Sequence, residues 1–106
     1  VIPEIDAIAL RAELDGATPP RLLDVREDDE LAISRLPDIL HIPLQNLPSR
    51  MKELDREADW VVICRGGTRS AHAVAFLIAQ GFGSVRNLVG GMNSYAQKVD
   101  RTLPVY

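Results

Sequence analysis

The run Trp60-Val61-Val62-Ile63 is bulky or β-branched at every position and does not alternate with polar residues. A strand that faces water on one side alternates, so a strand that does not is covered on both faces, as in the centre of a parallel sheet. Leu22-Leu23-Asp24-Val25 is a second such run, Ile39 to Ile42 a third that ends at Pro43, and Val85 to Val89 a further short strand. Parallel neighbours cannot be joined by hairpins, so the segments between them must carry the chain back across the sheet.

Those segments have helical spacing. Ile5, Ile8, Ala9 and Ala12 repeat behind Pro3 and stop at Asp15-Gly16, which predicts a first helix over residues 3 to 15. The acidic stretch Glu27-Asp28-Asp29-Glu30 suits the start of a second helix, where the dipole favours negative charge. Leu47, Met51 and Leu54 outline one face of a helix from about Pro48 to Arg56, and the polar tract to Asp59 closes it. From Ser70 to Gln80 the chain is apolar almost all round, with Ala71, Val74, Ala75 and Ile78 in helical register and Gly81 as the stop, which predicts a buried helix. After Val89 comes a tight Gly90-Gly91 turn, a last helix marked by Met92, Ala96 and Val99, and a tail from Arg101 to Tyr106. This order predicts one α/β domain over residues 1–106, with a mainly parallel five-stranded sheet and helices on both faces. Ligands of such sheets bind beyond the carboxyl ends of the strands, which directs attention to Asp24-Val25-Arg26 and to Cys64. A start at Val1 rather than Met favours a domain cut from something longer.

Composition excludes several function classes. Twelve Lys and Arg against fifteen Asp and Glu leave a net charge of -3, so no basic face is available for nucleic acid. No apolar run approaches the roughly 20 residues that cross a bilayer, and nothing near Val1 has the order of a secretory signal, so no membrane role is expected. A single cysteine, Cys64, permits neither an intramolecular disulfide nor a cysteine-closed zinc site, and it fits a reducing, cytoplasmic setting.

Cys64-Arg65-Gly66-Gly67-Thr68-Arg69-Ser70 joins the end of a buried strand to the start of a buried helix. Two glycines let the backbone bend so that successive N–H groups point inward, the helix start adds partial positive charge, and Arg65 and Arg69 add full charges where they face the pocket. Such surroundings favour the thiolate, the nucleophilic form of the cysteine. A lone cysteine after an apolar strand is by itself no more than a small hydrophobe. Gly-Gly between two arginines at a strand-to-helix turn is hard to explain by packing, and so Cys64, at a partly exposed position, is expected to be the reactive atom.

With those pieces in place, the chain resembles the rhodanese-like sulfurtransferases from end to end. The resemblance is carried by Leu22-Leu23-Asp24-Val25-Arg26-Glu27, by Leu36-Pro37 with His41-Ile42-Pro43-Leu44, by the Cys64 to Ser70 loop, and by Val89-Gly90-Gly91-Met92. It implies that Cys64 accepts a sulfane sulfur as a persulfide and passes it to a nucleophile, with Arg65, Gly66, Gly67, Thr68, Arg69 and Ser70 as the cradle. No cofactor is implied beyond that covalent persulfide, and no metal. Asp24 and Arg26 are expected as a structural ion pair that braces the site. The usual Gly-His-Ile-Pro-Gly crossover is replaced by Ser34-Arg35-Leu36-Pro37-Asp38. That variant, with the ending Leu103-Pro104-Val105-Tyr106, is most similar to the C-terminal rhodanese domain of E1-like adenylyltransferase-sulfurtransferases. The resemblance then implies partners: a sulfane-sulfur donor, thiosulfate or a cysteine desulfurase, a ubiquitin-like sulfur carrier, and a linked adenylyltransferase domain. The pathways implied are the thiolations of molybdopterin, thiamin or tRNA.

Two other readings share these residues. Thiolate-based dual-specificity phosphatases have a similar loop, one residue longer, because a phosphoryl group is larger than one sulfur; here four residues separate Cys64 from Arg69. A non-catalytic rhodanese-like binding or regulatory module is the second, and the intact Cys64 argues against it. His41, His72, the acids Glu27 to Glu30, and the scattered aromatics Trp60, Phe76, Phe82 and Tyr95 receive no role.

Overall fold

The computed structural model describes residues 1–106. Five strands form one sheet: β1 (Glu4–Ile5), β2 (Arg21–Asp24), β3 (Ile39–His41), β4 (Trp60–Ile63) and β5 (Val85–Leu88). Their order is β1-β5-β4-β2-β3 and every pairing is parallel, with Asp24 opposite both His41 and Ile63. The helices are α1 (Ala7–Leu14), α2 (Asp28–Ile33), α3 (Leu47–Arg50), α4 (Thr68–Ala79) and α5 (Gly91–Lys98).

The lack of alternation in β4 is explained by two separate cores. Trp60 and Val62 pack on one face with Leu23, Val74 and Leu77, whereas Val61 and Ile63 pack on the other with Leu10, Leu22, Met92 and Tyr95. Neighbouring side chains in a strand point to opposite faces, so both sets must be apolar. The sheet expected from the sequence is therefore present, and it is entirely parallel. No helix is long and apolar enough to cross a membrane.

Several boundaries differ from expectation. Residues 4–5 form the edge strand β1 rather than helix, and α1 starts only at Ala7, where the Asp6 carboxylate accepts the Ala9 N–H at 2.8 Å. A carboxylate cap outweighs the preference of Pro3 for a first turn. Counting from Ile5 therefore placed the face wrongly: Ala7 and Leu10 are buried, and Ile8 is 63% exposed. The helix expected over 48–56 is a single α-turn, α3, between 3-10 turns at Leu44–Asn46 and Met51–Glu53. Leu47 and Leu54 are nevertheless buried, because the apolar spacing was met by this tighter chain path.

Helix α4 buries Ser70, Ala73, Val74 and Leu77; of the expected set only Val74 is buried, while Ala71 is half-buried, Ala75 is exposed and Ile78 stays 41% exposed. A helix apolar almost all round carries no strong preference for one face, so the entry angle of its preceding loop decides. The replaced crossover is accommodated by Asp38, which takes a left-handed conformation at φ 60°. Asp tolerates that region better than most residues other than Gly and Asn.

Candidate functional site

Cys64 follows β4 at the carboxyl edge of the sheet, and its side chain sits at the start of α4. Its Sγ accepts the Gly67 N–H at 3.1 Å and the Ser70 N–H at 3.4 Å, and lies 3.2 Å from Ser70 Oγ. These are N–H groups at a helix start, which lack intrahelical partners and favour an anion. The cysteine is 1% exposed, so the partly exposed position expected from the sequence is corrected. Burial follows from the loop folding back over Sγ to deliver those amides.

Of the two loop glycines only Gly67 bends as foreseen, with φ +104°, and a Cβ there would come within 3.1 Å of the Gly90 N. Gly66 has open space around it and no positive φ. Thr68 is exposed at the first turn of α4. The loop is held from outside by two elements that the sequence reading left without a role. Helix α5 donates its Met92 N–H to the Cys64 carbonyl at 2.9 Å and its Asn93 N–H to the Arg65 carbonyl at 3.1 Å. Contact that close requires Gly91, where a Cβ would stand 2.3 Å from the Cys64 carbonyl oxygen. From β5, buried Asn87 donates to the Gly67 carbonyl at 3.1 Å and accepts the Ser70 hydroxyl. An Asn in a buried strand goes against strand composition and was the available signal.

The arginines do not act as a pair. Arg69 donates to both carboxylate oxygens of Glu30, at 2.6 and 2.8 Å, so its charge is compensated. Those bonds, against the opposing effect of burial, hold the Glu30 carboxyl down from 4.5 to about 2. Arg69 is raised by the same contact, and the Cys64 charge adds to that shift. Arg65 is exposed and lies over the Tyr106 ring, 5.1 Å from its centroid.

Asp24 and Arg26 are wholly buried and joined by bonds of 2.8 to 3.1 Å. Arg26 also donates to the Ser34 carbonyl at 2.7 Å and to the Tyr106 hydroxyl at 2.9 Å. His41 Nε2 donates to the Arg26 carbonyl at 2.6 Å. This pair ties β2, α2 and the tail together behind the loop, while Tyr106 and Glu30, missed from the sequence, connect it to the loop itself. The distance of residues 30 and 106 from the loop along the chain is what hid them.

No set of three His, Cys, Asp or Glu side chains converges on a metal position. The clefts in the surface lie away from the loop, one of them lined by Arg11, Leu36, Pro37, Asp38 and Tyr95. The cradle offers backbone amides for one sulfur atom and its charge.

The profile of the Rhodanese-like domain family matches residues 6–98. A sulfurtransferase of Allochromatium vinosum is 38% identical over 97 residues, spanning 92% of this chain and 91% of that protein. The adenylyltransferase and sulfurtransferase MOCS3 of Arabidopsis thaliana is 35% identical over 101 residues, but that match covers 80% of this chain and only 22% of that protein. The crystal structure of a rhodanese-like domain protein from Staphylococcus aureus superposes with a TM-score of 0.86 at 28% identity, covering 99% of both chains.

Proposed function

The chain belongs to the rhodanese-like domain family, and from that premise we propose that it is a sulfurtransferase whose Cys64 carries a sulfane sulfur as a persulfide. The single observation behind this reading is the pair of backbone donors aimed at Sγ, Gly67 N–H at 3.1 Å and Ser70 N–H at 3.4 Å. In the first half-reaction the thiolate attacks the sulfane sulfur of a donor such as thiosulfate. The Cys64–sulfur bond forms, the donor's S–S bond breaks, and sulfite leaves with the bonding pair. The product is an anionic persulfide, and amides at the α4 start stabilise that charge without reorganisation. In the second half-reaction an acceptor nucleophile attacks the outer sulfur and the thiolate is regenerated. Two half-reactions through one covalent intermediate give ping-pong kinetics.

With no second cysteine to resolve the persulfide, the sulfur leaves to an external nucleophile. Relatives named as sulfurtransferases spanning nearly their whole length favour this activity for the chain itself. Relatives named as a sulfur carrier protein and as adenylyltransferase-sulfurtransferases favour an acceptor held on a protein, such as the activated C-terminus of a ubiquitin-like carrier in a thiolation pathway. The physiological donor on this reading is thiosulfate or the persulfide of a cysteine desulfurase.

Incubation with thiosulfate should add one sulfur, about 32 Da by intact mass, which cyanide removes as thiocyanate. Cys64→Ser should abolish the adduct and turnover. An unmodified mass after several sulfane donors, with the thiol still open to alkylation, would overturn the proposal in favour of a binding module.

A further inference from the structure

Tyr106 makes no hydrogen bond to Sγ, yet it is fixed beside the Cys64 loop from several directions. Its backbone N–H donates to Asn93 Oδ1 at 3.0 Å, its hydroxyl donates to Glu30 Oε2 at 2.7 Å, and that hydroxyl accepts from Arg26 Nη1 at 2.9 Å. The ring so anchored lies under the Arg65 guanidinium at 5.1 Å. Arg65 has no carboxylate within ion-pair distance, whereas Arg69 is neutralised by Glu30. Arg65 is thus the one uncompensated cation of the loop, and Tyr106 is what holds it.

We propose that Tyr106 is a positioning residue for sulfur transfer: its ring holds Arg65 beside the loop as a fixed cation that recruits anionic sulfur donors. The proposal rests on the persulfide reading above. An exposed arginine on its own samples many rotamers, and a cation–π contact with an anchored aromatic ring restricts it while it keeps its charge. A cation placed in advance attracts an anion with less loss of freedom on binding, and the attraction is screened by salt. Thiosulfate carries two charges, so its approach is the step that senses Arg65.

The test follows persulfide loading by intact mass against thiosulfate concentration, in low and in high salt. Arg65→Ala and Tyr106→Leu should each raise the half-saturating thiosulfate about fivefold in low salt and leave the maximal loading rate unchanged, since only capture of the anion is affected. High salt should erase the difference. The double variant should be no worse than either single one, because the two residues act as a unit. Tyr106→Phe keeps the ring under Arg65 but loses the hydroxyl bonds to Glu30 and Arg26, so its half-saturating concentration should lie between those of wild type and Tyr106→Leu. Arg21→Ala is the control: Arg21 stacks on Trp60 at 4.6 Å but lies at the amino end of β2, away from the loop. Asn93→Ala, which frees the Tyr106 backbone, supplies the same measurement where Tyr106→Leu does not fold.

Additive effects, or a fall in the maximal rate with unchanged half-saturation in Tyr106→Leu, would overturn the proposal. A second measurement separates it from the persulfide reading. The ratio of alkylation rates by iodoacetate, an anion, and iodoacetamide, its neutral counterpart, requires no sulfur transfer. That ratio should fall about fivefold in both variants even where no persulfide forms; an unchanged ratio sinks the positioning role whatever thiosulfate does.

Discussion

Glu30, on α2, holds Arg69 through both of its carboxylate oxygens, at 2.6 and 2.8 Å. The arginine that the sequence offered as a free anion-binding charge is half of an ion pair. Its partner is itself partly buried, with the side chain 14% exposed.

This pairing makes the two single variants unequal. Arg69→Ala leaves an uncompensated carboxylate near Cys64, which repels both the thiolate and an incoming anionic donor. Loading should slow about tenfold at low salt and partly recover when Glu30→Gln is added. Glu30→Gln alone frees the Arg69 charge, so its loading rate should equal or exceed wild type. Mass-resolved loading kinetics on the four proteins of this cycle check the sign.

Acid stability should report the same contact. The Glu30 carboxyl is lowered in the folded state from 4.5 to about 2, so the stabilisation is fully present above about pH 4.5 and is lost as pH falls toward 2. Wild type should lose more stability than Glu30→Gln across that window, and the two should respond alike from pH 6 to 8. Chemical denaturation at a series of pH values measures both limbs.

Gly91→Ala should be the most damaging glycine substitution. Its Cβ would collide with the Cys64 and Arg65 carbonyl oxygens at 2.3 and 2.5 Å, and its φ of +57° already disfavours a side chain. A loss of about 3 kcal/mol is expected, together with loss of persulfide loading. Gly66→Ala, with nothing within 4 Å, should be tolerated within about 0.5 kcal/mol. Urea unfolding of the two proteins gives the comparison.

Asp24→Ala should cost stability before it costs chemistry. It strands a buried guanidinium among the Ser34 carbonyl and the Tyr106 hydroxyl, at about 3–5 kcal/mol for an unpaired buried charge. Thermal melting should show the loss directly. Loading measured well below the midpoint should retain most of its rate, because neither Asp24 nor Arg26 bonds to Cys64 Sγ.

Asn87→Ala removes the clamp on the Gly67 carbonyl and the acceptor of the Ser70 hydroxyl. A stability loss of about 1–3 kcal/mol is expected from the two buried groups left without partners. Loading should slow more than in a core variant of equal stability, for example Leu77→Val, because the loop amides lose their alignment on Sγ. Comparing stability-matched variants separates the two effects.

What the sequence determined by itself is local or periodic. Non-alternating runs at Leu22-Leu23 and Val61-Val62 required a sheet covered on both faces, and Gly66-Gly67 after Cys64 announced a bent strand-to-helix turn. These features need only neighbouring residues and elementary stereochemistry. The tertiary structure alone decided which charges meet. Glu30 reaches Arg69 across 39 residues and Tyr106 reaches Arg26 across 80, and both contacts depend on how α2 and the tail close on the carboxyl edge of the sheet. It also decided which face α4 buries, since Ala71 and Ala73 are equally apolar and only the entry set by Gly67 at φ +104° distinguishes them. Side-chain pairing between remote segments has no period and no spacing, because what brings the partners together is packing of the whole sheet rather than any property of either residue.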